Sequence, residues 1–138
     1  MGDVIRKVDY FTMQASDKPG EGARALNVLR EAGVNLLAFT GFPEGRRRAQ
    51  LDFVAEDSAA LKAAAKRAKM KLSPKKTAFL VKGEDRPGAI AEIMGKLAAA
   101  KINVTAIDAV CAGGGHYGAI LWVKGPDVRK AAKTLGAS

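Results

Sequence analysis

The residues with the most chemical promise lie in two short turns. Asp17-Lys18-Pro19-Gly20 and Asp85-Arg86-Pro87-Gly88 stand 68 positions apart, and each precedes a stretch with helical spacing. The first turn of a helix leaves several backbone N–H groups unpaired, and its dipole favours an anion. Gly20 and Gly88 fall at that point and allow a close approach to the backbone. Pro19 and Pro87 remove a competing donor and stiffen the turn. Each residue also has a purely structural use, the aspartates as helix caps and Pro-Gly as ordinary turn chemistry.

Other candidate chemistry is weaker. Cys111 stands five residues before His116, the single histidine, but a Cys–His nucleophile needs a third orienting group and an oxyanion site. Too few ligands are present for a zinc site. Gly113-Gly114-Gly115 lacks the lysine and the strand–loop–helix setting of a phosphate loop, so it reads as a flexible hairpin tip able to fold over a ligand. Trp122 reads as a core residue or a contact between units. No catalytic residue, metal site or cofactor is expected.

These residues must be positioned by regular elements, and the chain has the means to build them. It holds 138 residues, 48% of them hydrophobic, enough for one body or for two small units sharing a core. The formal net charge is +9, concentrated at Arg46-Arg47-Arg48 and between Lys62 and Lys76. Such charge invites a nucleic-acid reading, against solvated faces that aid solubility. The sequence contains no apolar run of membrane-spanning length and no signal-peptide pattern. The lone Cys111 cannot form an internal disulfide, so a cytoplasmic setting with no membrane partner is expected.

The two turns belong to a longer repeat. Without a gap, 11–45 matches 79–113 with ten identities over 35 positions, including Asp17/Asp85, Pro19/Pro87, Gly20/Gly88, Asn35/Asn103 and Gly45/Gly113. A repeat of this length is a whole supersecondary unit. In the first copy the patterns predict strands at 8–15, 34–42 and 49–55, helices at 20–32 and 59–69, and a short fourth strand at 70–72. Phe11, Met13 and Ala15 share one strand face. Ala23, Leu26 and Leu29 share one helix side, and Gly33 is a left-handed helix stop. The second copy repeats the order with strands at 77–84, 102–110 and 117–123 and helices at 88–100 and 126–135. The units span 7–73 and 76–138, and the second lacks a candidate for its last strand, an edge that the spare Val4-Ile5 could fill. The fold class is α+β, two tandem ferredoxin-like βαββαβ units, each an antiparallel sheet with helices on one face. The opposite sheet faces are mixed rather than polar, so the units are expected to pack on each other and the chain to dimerise.

The order strand, Asp-x-Pro-Gly, amphipathic helix, then Gly33-Val34-Asn35-Leu36 or Lys101-Ile102-Asn103-Val104, then strand, resembles the ACT domain. The likeness covers nearly the whole chain and points to a stand-alone tandem ACT protein. The resemblance implies a regulatory, non-enzymatic module that binds an amino acid at ACT–ACT interfaces. It also implies ligand contacts from Asp17, Pro19, Gly20 and Asn35, and from Asp85, Pro87, Gly88 and Asn103. On that reading the helix amides take the carboxylate, an aspartate pairs with the ammonium, and an asparagine serves either group. The asparagines also have a structural use, holding a bend between helix and strand. Lys101, where the family has glycine, and the absent last strand are departures. The expected partners are the amino acid, a second copy of the chain and a regulated enzyme.

Two other readings compete. The same βαββαβ order serves RNA-binding modules, but these need aromatics on the open sheet face. Here Phe11 and Phe79 fall on the helix side, leaving Tyr10 opposite Ala78 in the repeat. A ligand-free adaptor that regulates an enzyme is the other reading.

Overall fold

Alternating apolar side chains give a strand one face to bury, and helices with an apolar stripe are what cover it. In the computed structural model, which describes residues 2–138, the chain divides into two units. One is Asp9–Lys76; the other is Thr77–Ser138 together with residues 2–8. Strand β1 (Val4–Ser16) contributes to both, residues 4–8 to the latter and the remainder to the former.

In the Asp9–Lys76 unit, β1 is followed by α1 (Glu21–Glu31), β2 (Leu36–Pro43), β3 (Arg48–Ala55) and α2 (Ser58–Arg67). β3 lies between β2 and β1 and is antiparallel to both. Phe11 stands opposite Phe53 and Met13 opposite Leu51, so their side chains share a face. Leu29 of α1 and Leu61 of α2 close over that face, and all but Met13 are fully buried. The inner side of α1 carries Ala25 and Leu29, one helical turn apart, while Ala23, expected there from its spacing, is exposed.

The short strand expected at 70–72 is not a regular strand. Ser73 N–H donates to Thr12 O at 2.8 Å, but Thr12 N–H donates to Ser73 Oγ at 2.9 Å, so a hydroxyl replaces the ladder carbonyl. Pro74 then ends any further pairing. Met70 and Leu72 nonetheless pack against the core.

The other unit repeats the order with β4 (Lys76–Glu84), α3 (Ala89–Ala99), β5 (Val104–Cys111), β6 (His116–Val123), a 3-10 turn at Gly125–Asp127 and α4 (Val128–Leu135). β6 lies between β5 and β4, and residues 4–8 of β1 lie on the far side of β4. Phe79 and Leu121, paired across the strands, are sealed by Leu97 of α3 and Leu135 of α4. Ile5 joins this core, and the chain end is tied to it: Ser138 N–H donates to Ile5 O at 3.1 Å and Lys7 N–H to Ser138 O at 3.0 Å. The beginning of the chain thus stands where the last strand of this unit is called for. The fold is α+β, two ferredoxin-like units with antiparallel sheets and helices on one face. Among the described residues, no helix is long and apolar enough to cross a membrane.

Every helix ends in the same pair of reversed hydrogen bonds. In α1, Gly33 N–H donates to Arg30 O and Val34 N–H to Leu29 O; in α3, Lys101 N–H donates to Ala98 O and Ile102 N–H to Leu97 O. This cap needs a left-handed residue, and Gly33 and Lys101 supply it at φ 74° and 61°.

Two stability tests follow from this packing. Ile5 is 7% exposed and Val4 65%, so Ile5→Ala costs about 2–4 kcal/mol, while Val4→Ala is close to neutral; equal effects in urea denaturation would contradict the assigned strand. Lys101→Gly relieves a left-handed side chain and is expected to stabilise the protein by up to about 1 kcal/mol, with a rise in denaturation midpoint as the measurement.

Candidate functional site

The passage from sheet to helix is made in four residues, and it is made identically twice. Gly20 and Gly88 precede α1 and α3 in the left-handed region, at φ 92° and 81°, and neither helix has a side-chain cap. α2 is different: Asp57 Oδ1 accepts from Ala59 N–H at 3.0 Å and Ala60 N–H at 3.2 Å. Asp17 and Asp85 therefore do not serve as helix caps, and no side chain covers the first amides of α1 and α3. A Cβ built on Gly20 or Gly88 meets nothing within 4 Å, so the space beside each turn is open. Each turn is anchored from the neighbouring hairpin: Asp17 N–H donates to Arg47 O at 3.0 Å, and Asp85 N–H to Gly115 O at 2.9 Å.

A pocket adjoins each turn. The first, about 220 Å³, is bounded by Asp17, Lys18, Glu21 and Gly22 on one side and by Phe42 and Pro43 at the end of β2 on the other. The second, about 300 Å³, is bounded by Asp85, Arg86, Gly88 and Ile90, and by Val110, Cys111 and Tyr117. Phe42/Val110, Pro43/Cys111 and Ala49/Tyr117 keep the 68-residue offset, so the same cleft is formed twice with different walls. These wall residues carry no motif. The 68-residue offset itself, read at positions that differ in type, is the signal that finds them.

The charges around the two pockets differ. Arg24 pairs with Glu21 in the first, and among the described residues Lys18 makes no ion pair. In the second, Arg86 pairs with Glu92, bonds Glu84 O at 3.0 Å and reaches Asp3 Oδ1 at 3.3 Å. These carboxylates hold the Arg86 guanidinium above its usual range. Asp3 lies over Gly83, where a Cβ would come within 2.0 Å of its Oδ1 and 2.7 Å of the Tyr117 ring.

Cys111 faces Asp85, and that hydrogen bond, ahead of desolvation, pushes its thiol pKa up. A thiol kept protonated is a poor nucleophile, and His116 Nδ1 lies 3.0 Å from Gly114 O. On the opposite sheet face of the Asp9–Lys76 unit, buried Asp52 accepts from Thr40 Oγ1 at 3.1 Å and Gln50 Nε2 at 2.9 Å. Both oxygens are thereby satisfied, a structural use of the carboxylate. Among the described residues, no group of three or more acidic, histidine or cysteine side chains is placed to hold a metal.

Asp17, Pro19 and Gly20 stand together in one turn, and Asp85, Pro87 and Gly88 in the other. The asparagines do not join them within a unit. Asn35 precedes β2, where its carbonyl accepts from Glu56 N–H at 2.9 Å, whereas Asp17 lies beside Arg47 at the opposite end of β3. The separation is a full strand, roughly 25 Å. Asn103 stands likewise before β5.

No family model matches the chain, and no curated protein matches it. Solved structures do. Protein BT0572 from Bacteroides thetaiotaomicron superposes with a TM-score of 0.81 at 17% identity, over 96% of this chain and 88% of that one. The regulatory subunit of aspartate kinase from Thermus thermophilus, in a ligand-free form, gives 0.64 at 16% identity over 99% and 95%. Its counterpart from Thermus flavus gives 0.59 at 16% identity over 99% and 95%. At these identities the likeness is one of fold, and the fold is ACT-like.

The two tyrosines provide a test of these environments. Burial, then the charge of Asp52, raises Tyr10 above the ordinary phenol value. Burial, then Asp3, pushes Tyr117 up to about 12. The folded state thus holds these protons more tightly than the unfolded chain. The resulting stability is present below pH ~10 and is lost as pH rises through about 12. Absorbance titration should show no phenolate step at the ordinary value, and Tyr117→Phe should delete the highest step. A normal step from Tyr117 would refute the burial of its phenol beside Asp3.

Proposed function

We propose that this protein is a non-catalytic regulatory sensor that binds a free amino acid at its helix-opening turns. The observation that carries the reading is the repeated pocket lined by the first residues of a helix whose amides have no side-chain cap, Glu21 and Gly22 in the first and Ala89 and Ile90 in the second. Such amides suit a carboxylate, and Asp17 or Asp85 beside them suits an ammonium group. The apolar walls, Phe42 and Pro43 or Val110 and Tyr117, suit the carbon skeleton.

Asn35 and Asn103 enter this site from a second copy of the chain. Each lies a strand's length from the turn of its own unit, and a second copy laid alongside in the opposite sense is the arrangement we assign to bring an asparagine to a turn. Ligand binding on this reading bridges copies and favours a homodimer, and assembly is the signal passed to a regulated enzyme. The fold shared with regulatory subunits of aspartate kinase supports a regulatory role.

The RNA-binding reading is less well supported. Phe11 and Phe79 are buried beneath the helices and unavailable for stacking on bases. A ligand-free adaptor remains the alternative that a binding experiment decides.

A thermal-shift screen against the twenty amino acids tests the reading. A ligand at a hundredfold its dissociation constant adds about 2.7 kcal/mol. The expected result is a clear rise in Tm with one or a few of them, accompanied by dimer formation on size exclusion. No shift with any of the twenty would leave the adaptor reading in its place.

A further inference from the structure

The two pockets share a backbone and differ in what already occupies their cationic side chain. Lys18 and Arg86 are matched residues of the repeat. Among the described residues Lys18 makes no ion pair, whereas Arg86 is held by Glu92, by Glu84 O and by Asp3. Asp3 reaches it from 83 residues away, and only 10% of its side chain is exposed. Its carboxylate also faces the Tyr117 ring, which is a wall of the same pocket. In the Asp9–Lys76 unit, Ala15 matches Gly83, and Met70, which bears no charge, is part of the wall of an open groove of about 410 Å³ beside it.

The surroundings diverge in the same direction. The hairpin beside the first turn carries Arg46-Arg47-Arg48, and the Arg47 carbonyl anchors that turn. The hairpin beside the second is Gly113-Gly114-Gly115. At the matched helix position, Arg24 stands in the first unit and Glu92 in the second. An incoming carboxylate therefore meets at the first pocket a Lys18 that makes no ion pair among the described residues, set beside Asp17 and Glu21, and at the second an arginine already engaged by two carboxylates and a carbonyl.

We propose that the pocket of the Asp9–Lys76 unit is the open carboxylate site, and that Asp3 is a tethered carboxylate holding Arg86 and closing the second pocket to free carboxylates. The N-terminal segment thereby sets how many sites the chain offers. This deepens the sensor reading and rests on it for the identity of the natural ligand. The asymmetry itself concerns carboxylates in general.

Sodium acetate is the probe, titrated into ¹⁵N-labelled full-length protein with sodium chloride at matched ionic strength as control. In the wild type, acetate is expected to shift the amides of Lys18 and residues 20–22 and leave those of Arg86 and residues 88–90 unmoved. In Asp3→Ala, and in the near-isosteric Asp3→Asn should the alanine variant fold poorly, the amides of Arg86 and residues 88–90 and the Arg86 side chain should respond. Their apparent affinity for acetate should rise by about tenfold or more. A response of Arg86 and residues 88–90 in the wild type, their silence in both variants, or silence of Lys18 and residues 20–22 throughout would each overturn the proposal. If the acetate pattern holds while none of the twenty amino acids raises Tm, the amino-acid reading fails and the asymmetry stands.

Discussion

An apolar sheet face has to be roofed, and the rest of the molecule follows from the way this chain does it. Phe11 with Phe53, and Phe79 with Leu121, present faces that only helices close by can remove from water. After the first strand the chain must rise from the sheet to the helix layer at once, and four residues do it. A left-handed glycine at the helix start turns the backbone sharply. The same geometry leaves no residue placed to cap the helix. Helix starts without a side-chain cap are thus a consequence of roofing the sheet with so short a connection. A binding site at this point requires no added element, only walls.

The walls come from β2 and β5, the strands that follow each helix. Their far ends return to the turn because β2 is antiparallel to β3, whose start lies beside the turn through Arg47. The asparagines that open β2 and β5 are carried to the other end by the same geometry. A helix followed by a strand reverses direction, so residues on either side of the helix end up a strand apart.

The turns, the duplication and ten of the eleven predicted segments are legible in the sequence, because Asp, Pro, Gly and Asn mark where periodic segments stop. The segment at 70–72 misled because Met70 and Leu72 alternate as a strand does, while the hydroxyl of Ser73 takes over the ladder. Ala23 misled because its spacing fits the apolar stripe as well as Ala25 does, and only the helix's rotation against β3 decides between them. Phe42 and Val110 were invisible as a pair because the repeat conserves their place and not their type. Asp3 was invisible for a different reason. Its meeting with Arg86 depends on the start of the chain lying beside β4, a contact across 83 residues that no local pattern encodes.

That origin also explains how the two halves of a duplicated fold came to differ. In the Asp9–Lys76 unit the segment beside β1 follows α2 directly: Met70 N–H donates to Ala65 O in the cap of that helix, which fixes Met70 over the core. In the other unit the corresponding edge comes from the beginning of the chain. Ile5 is fixed by the core, but Asp3 lies beyond it and is bound to no helix. A charged residue is tolerated there because its side chain reaches Arg86. An ion pair at a partly exposed arginine is weak in itself. Asp3 prevails over a free carboxylate by being attached, since a short tether holds it at an effective concentration on the order of millimolar or above. The closure is therefore as strong as the docking of residues 4–8 against β4, and whatever loosens that strand opens the second pocket.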